Sequence, residues 1–175
     1  MPENTVKENV VLGSGFLFIA ELAADGTIPS TLFDEANNVG HVQGGADLTY
    51  TPTIYDVECD EGKILKSYIT KEEAILRSGI LTWNLKTVSK LAVGGSYSNG
   101  VLTIGGAKSI KQYAVGFKYD GDDRTIKVSM AGRSNKGFTI TFNKEKETVI
   151  DAEFKAVKDT NGVLIKIEEA AKAAA

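Results

Sequence analysis

Between Ile69 and Gly95 the hydrophobic period of the chain changes once, and the change marks a strand running into a helix. Residues 69–83 carry Ile69, Ile75, Ile80, Leu81 and Trp83 with the β-branched Thr70 and Thr82, while Lys71, Glu73 and Arg77 fall on one parity. That is the pattern of a half-solvated strand, whose side chains alternate between two faces. Glu73 and Arg77 also stand four apart, as an ion pair on a helix would. Gly79 and the β-branched flank argue against a helix over Glu72–Arg77. From Asn84 the period becomes helical: Leu85, Val88, Leu91 and Ala92 share one face of a helix over about residues 84–93. Asn84 can cap it by accepting from a free first-turn N–H, and Gly94-Gly95 supply a left-handed stop. So short a helix is marginal alone, so it is expected to lie on a sheet through Leu85, Val88 and Leu91.

The rest of the chain reads as strands and turns. Gly13–Leu22 places Phe16 and Phe18 on one face and Leu17 and Ile19 on the other, which predicts a strand covered on both sides. Ala23–Asn37 is a loop. Val39–Glu61 is extended, with a bend or bulge at Gly40, Gly44 and Gly45, an edge position implied by Pro52, and a turn at Asp60-Glu61-Gly62. Asn99-Gly100 predicts a tight hairpin into Val101–Ile104. Gln112–Tyr119 and Thr125–Met130 alternate on either side of Asp120–Asp123 and predict an antiparallel pair. Phe138–Phe142, Val149–Val157 and Val163–Ile167 complete the set, the last two flanking a turn at Asp159–Gly162. Residues 1–10 read as a flexible arm, and residues 168–175 as a frayed or weakly helical tail. Nine or ten strands at roughly ten-residue spacing predict a mainly β chain, an antiparallel sandwich or barrel spanning residues 11–167 as one domain.

Composition narrows the function classes. Hydrophobic residues at 42% and charged residues at 25% are ordinary for a globular chain of 175 residues. No apolar run is long enough to span a membrane, and MPENTVKENV lacks the apolar h-region of a signal peptide. Cys59 is the single cysteine, so no internal disulfide can form. His41 is the single histidine, with no nucleophile elbow around any serine, and no Cys/His cluster suits zinc. Gly105-Gly106-Ala107-Lys108-Ser109 departs from phosphate-loop spacing, and Asp120-Gly121-Asp122-Asp123 lacks the ligand spacing of a calcium loop. The reading is therefore no enzyme, no cofactor and no metal. The net charge of −3 hides an asymmetry: residues 1–62 carry eleven acids and one base, and the remainder 19 bases and 12 acids. One chain with an acidic and a basic region has the complementary surfaces that head-to-tail assembly needs. Basic residues are scattered among acids, so no nucleic-acid grip is expected.

The segments E-A-x-L (from Glu73), L-x-W-N-L (from Leu81) and L-x-x-G-G (from Leu91) resemble the tail tube, or major tail, proteins of long-tailed phages. The opening GSGFLFIAEL, the later NNVGHVQGG and the ending VIDAEFKAVKDTNGVLIKI, similar to that family's closing hairpin, extend the likeness over most of residues 11–167. The resemblance implies a virion protein of a non-contractile tail, made in the host cytoplasm. It would self-assemble into hexameric rings stacked into a tube for DNA passage, without specific DNA binding. Its implied partners are further copies of itself, a tape measure protein, a tail terminator and a distal tail protein. The helix would lie on the outer wall side. On charge and edge position, the subunit interface is expected to use Asp25, Asp34 and Glu35 of the acidic loop and Asp47, Tyr50, Tyr55, Asp56, Glu58, Asp60 and Glu61 of the extended segment. Lys108, Lys111 and Arg133 would answer them from a neighbour. The alternative is a monomeric β-sandwich binding module of adhesin or carbohydrate-binding type.

Overall fold

The computed structural model describes residues 14–106 and 109–172, and over them the protein is mainly β and antiparallel. Nine strands are present among the described residues: β1 (Gly15–Glu21), β2 (Val42–Glu58), β3 (Ile64–Ile80), β4 (Ser96–Ser98), β5 (Val101–Thr103), β6 (Tyr113–Asp120), β7 (Arg124–Ile140), β8 (Ile150–Ala156) and β9 (Lys166–Ala171). One α-helix is present among them, α1, spanning Leu85–Leu91. The main sheet has the order β1-β6-β7-β8-β3-β2, with β9 on β7; β4 and β5 form a separate two-stranded ribbon. The sheet is not closed into a barrel, because β1 and β2 stand at opposite ends of the strand path, and the ribbon is the only other sheet described.

The period change at Asn84 is realised as expected. The Asn84 side chain accepts from the Lys86 N–H at 3.0 Å, and Gly94 takes φ +79° beyond the helix. Val88 and Leu91 are fully buried and Leu85 packs against the same core. The helix stops at Leu91, short of Val93. The preceding strand runs earlier at both ends than the period suggested: it starts at Ile64 and stops at Ile80, leaving Leu81–Trp83 as a connector. Glu72–Arg77 is strand, not helix, and β3 pairs with β8 through Ile75–Ile80.

The main core lies on one face of the sheet under α1. Leu17, Ile19, Leu76, Ile80, Val115, Met130, Ile150 and Phe154 fill it with Val88 and Leu91. On the other face, Phe18, Ala20 and Ala114 meet Leu32 of the 22–39 loop, with Phe33 edge-on to Phe18. β1 is thus apolar on both faces because both are covered. Gly116 allows the loop to sit so close: a Cβ there would stand 2.8–2.9 Å from Phe33 and Leu32.

Three expectations are corrected. Thr125–Met130 and Phe138–Ile140 are not two strands but parts of the 17-residue β7, with Phe142 beyond its end; a bulge between Ser134 and Phe138, with Gly137 at φ +72°, keeps the strand continuous. The turn at Asp159–Gly162 forms, yet β8 and β9 are not a hairpin. Both pair with β7, β8 along Gly132–Ile140 and β9 along Arg124–Ser129, with the chain detouring between them. Residues 168–171 are neither frayed nor helical: Glu168, Glu169, Ala170 and Ala171 pair in turn with Lys127, Ile126, Thr125 and Arg124 of β7, and Arg124 bonds Glu169 at 2.7 Å. The expected arm at residues 1–10 lies outside the described residues, as do residues 173–175.

Candidate functional site

β2 and β3 pair over almost their whole length, from Val42↔Ile80 to Glu58↔Ile64. β8 supports β3 only from Ile75 onward. The half of the hairpin between Thr49 and Ala74 is therefore a two-stranded arm extending past the sheet, closed by the turn in which Cys59 N–H donates to Lys63 O and Gly62 N–H to Cys59 O. A two-stranded ribbon is at best marginal in isolation. Here it is anchored, because each strand runs without a break into the sheet. The chain builds it with β-branched and aromatic residues, and Pro52 is tolerated since β2 is an edge strand with no ladder on its outer side. One bulge places Thr70 opposite no β2 residue, and its hydroxyl donates to the Thr53 carbonyl at 3.1 Å.

Cross-strand pairs share a face, so the two faces of the arm can be read from its register. One continues the core side: Leu48/Leu76, Tyr50/Ala74, Pro52/Glu72, Ile54/Ile69, Asp56/Ser67, Glu58/Ile64. Ala74 and Leu76 are buried in the main core; Ile54, Ile64 and Ile69 are 57–60% exposed. Isoleucines thus recur on this face past the core, with Glu72, Asp56 and Ser67 between them, and nothing among the described residues covers them. The opposite face presents Tyr55 beside Tyr68, with Lys66 Nζ 4.8 Å from the Tyr68 ring. Leu65, in the second register shift near the tip, is 66% exposed. Both long edges of the arm are open among the described residues, a state that single subunits ordinarily blunt.

The arm's root is held by charge. Glu72 accepts from Lys158 and Tyr50, both at 2.9 Å. The Lys158 bond, then the Tyr50 bond, pull its carboxyl below the usual range, and the Tyr50 phenol is raised in turn. Glu73 bonds Lys155 and Lys71, which bring it down to about 2. Next to it, Glu153 takes Asn135, Arg77 and Lys136; the Asn135 and Arg77 bonds lower it to about 2. The tip differs. Asp56 accepts from Ser67, while Glu58, Asp60 and Glu61 form no ion pair among the described residues.

The expected interface residues separate into groups. Tyr50, Tyr55, Asp56, Glu58, Asp60 and Glu61 share the arm. Asp47 lies at its root, opposite Arg77. Asp25 is a turn residue, accepting from Thr27 N–H and hydroxyl at 3.0 and 2.6 Å, which lowers its pKa. Asp34 and Glu35 start a 3-10 turn on the loop over the other face of the sheet. Arg133 sits in β7 opposite Lys155, Lys111 is exposed before β6, and Lys108 lies outside the described residues. The contact segment expected from the sequence, residues 45–66, contains Ile64 and Leu65 without singling them out and stops short of Tyr68, in the returning half of the arm. Their signal was the β-rich run after the Asp-Glu-Gly turn.

A cleft of about 400 Å³ opens at the root between the glycine bulges. Gly44 and Gly45 take φ +74° and +72°, and Ser78 pins them by donating to Gly45 O at 2.8 Å. Arg77, Lys136, Asp47, Asp151 and Glu153 line it, so its charges largely compensate one another. No group of three or more His, Cys, Asp or Glu side chains is placed to hold a metal among the described residues. No described helix is long and apolar enough to cross a membrane. Compared with known proteins, the chain matches no family model and no curated protein.

Proposed function

We propose that this chain is a non-enzymatic structural subunit that self-assembles into a tube of the phage tail type, its arm and open sheet edges joining one copy to the next. The observation that carries this reading is the set of bare isoleucines, Ile54, Ile64 and Ile69, on the face of the arm that continues the core side. Three large aliphatic side chains left bare on one strand face, interspersed with charge, suit an association surface. The open edge at β2 adds unfilled backbone positions, which closure of several copies into a ring would satisfy. An acidic tip whose Glu58, Asp60 and Glu61 form no ion pair among the described residues fits a heterologous contact, the kind that stacks rings head to tail. Stacked hexameric rings in a virion, enclosing a lumen for DNA, are the assembly proposed, with tape measure, terminator and distal tail proteins as its neighbours.

The test is negative-stain electron microscopy with light scattering on the purified protein over a range of concentration and salt. Rings or hollow tubes are expected, and reversing Asp60 and Glu61 to Lys should change both assembly and its salt dependence. A monomer under all conditions overturns the proposal. The root cleft favours a second reading, a monomeric binding module. That reading expects a concentration-independent monomer whose melting temperature rises with a ligand.

A further inference from the structure

The arm needs a counter-surface, and the opposite end of the same strand carries one. β3 begins at the arm tip and ends at Ile80, roughly 50 Å away at the rise of a strand. Just past Ile80, Trp83 is 52% exposed and stands 6.0 Å from Phe142, which is 78% exposed. They come from different chain segments. Trp83 follows β3 and Phe142 follows β7, and the two strand ends are brought level by β8, since Ile150 pairs with both Ile80 and Ile140. Two large aromatic side chains packed together in the open, at a sheet end, form the kind of rigid anchor that dominates interface energetics.

The charge around this patch is opposite in sign to that of the arm tip. Lys86, Lys144 and Lys146 follow these rings within four residues in the chain and are exposed, and none forms an ion pair among the described residues. Two acids share the 143–149 loop. Glu145 is exposed and Glu147 keeps its charge while accepting from Gln43, so the three lysines exceed the two acids by one positive charge. At the arm tip Asp56, Glu58, Asp60 and Glu61 outnumber Lys63 and Lys66.

We infer that the Trp83–Phe142 patch receives the arm of a second copy of this chain, its aromatic pair covering the face that carries Ile54, Ile69 and Ile64 while Lys86, Lys144 and Lys146 meet the acidic tip. The inference rests on the self-assembly proposed above and assigns it a partner surface. Because the patch and the arm lie at opposite ends of one strand, the contact is heterologous: it leaves an arm free at one end and a patch free at the other, so addition of copies continues. It also replaces Lys111 and Arg133, which lie off this end, as the bases that answer the tip.

The experiment places a photo-cross-linking phenylalanine analogue at position 142, an exposed site whose ring is retained, and maps cross-links in the assembled protein by mass spectrometry. Cross-links to residues 54–69 of another copy are expected. Trp83→Ala with Phe142→Ala should raise the concentration needed for assembly at least tenfold while circular dichroism and melting stay those of the parent chain. If assemblies form and position 142 cross-links only elsewhere, the patch is not the receiver and the inference falls, while self-assembly stands. If no condition yields an assembly, self-assembly and the inference fall together.

Discussion

β2 and β3 belong both to the sheet body and to the arm, yet the two parts follow opposite rules. At Leu76, Phe154 and Ile80 the alternating apolar row is covered by α1 and by the neighbouring strands. At Ile54, Ile64 and Ile69 the same row is bare. Nothing in local propensity marks the crossing from one regime to the other. The crossing occurs where β8 stops supporting β3, at Ile75. An apolar period therefore reports which face wants cover and is silent on whether the chain itself supplies it.

The sharpest way to break the comparison is in the body. Phe154→Ala should cost about 3–5 kcal/mol of unfolding free energy through the cavity it leaves, read by urea denaturation; a loss below about 1 kcal/mol would mean the core is not where the burial places it. Gly116→Ala forces a methyl against Phe33 and Leu32 and should cost about 1–3 kcal/mol, the overpacking range. Asn84→Ala removes the cap of α1 and should cost about 1 kcal/mol. At the junction of body and arm, Glu73 and Glu153 have carboxyls depressed to about 2. Depressed folded values mean that their stabilisation is fully present above the unfolded range near 4.5 and is lost as pH falls toward 2. Acid titration of the melting temperature should show that loss, and Glu153→Gln should flatten part of it. The smallest effect on stability belongs to the arm: Ile54→Ser with Ile69→Ser should shift unfolding by less than about 0.5 kcal/mol, as exposed sites do, while raising the assembly concentration at least tenfold. A large destabilisation there would show that the row is covered within the subunit after all.

What the sequence disclosed was local. The Asn84 cap, the glycine bulge at Gly44-Gly45, the Asn99-Gly100 turn (Asn99 at φ +50°) and the pairing of Gln112–Tyr119 with Thr125–Met130 each depend on residues near in the chain. What stayed hidden was non-local. Asn135-Lys136-Gly137 has the composition of a turn, and only pairing with β8 on both sides of it makes the segment a bulge inside β7. Asp159–Gly162 is a true turn, but β7 draws both flanking segments to itself and keeps them from pairing with each other. Tyr50, Tyr55 and the tip acids were legible as exposed candidates. That they form one arm with Ile64–Ile69, and that Trp83 meets Phe142, depended on register and on strand ends far apart in sequence being brought level by β8.

The continuity of β3 from arm tip to sheet has a mechanical side. A pull on the tip along the strand axis loads the ladder between Ile75–Ile80 and β8 in shear, so its hydrogen bonds resist together. A sideways pull peels β2 from β3 one pair at a time, starting at the open edge. The arm is thus stiff as a tether and soft as a lever, and a neighbour attached to it is held firmly along the strand axis while remaining free to tilt.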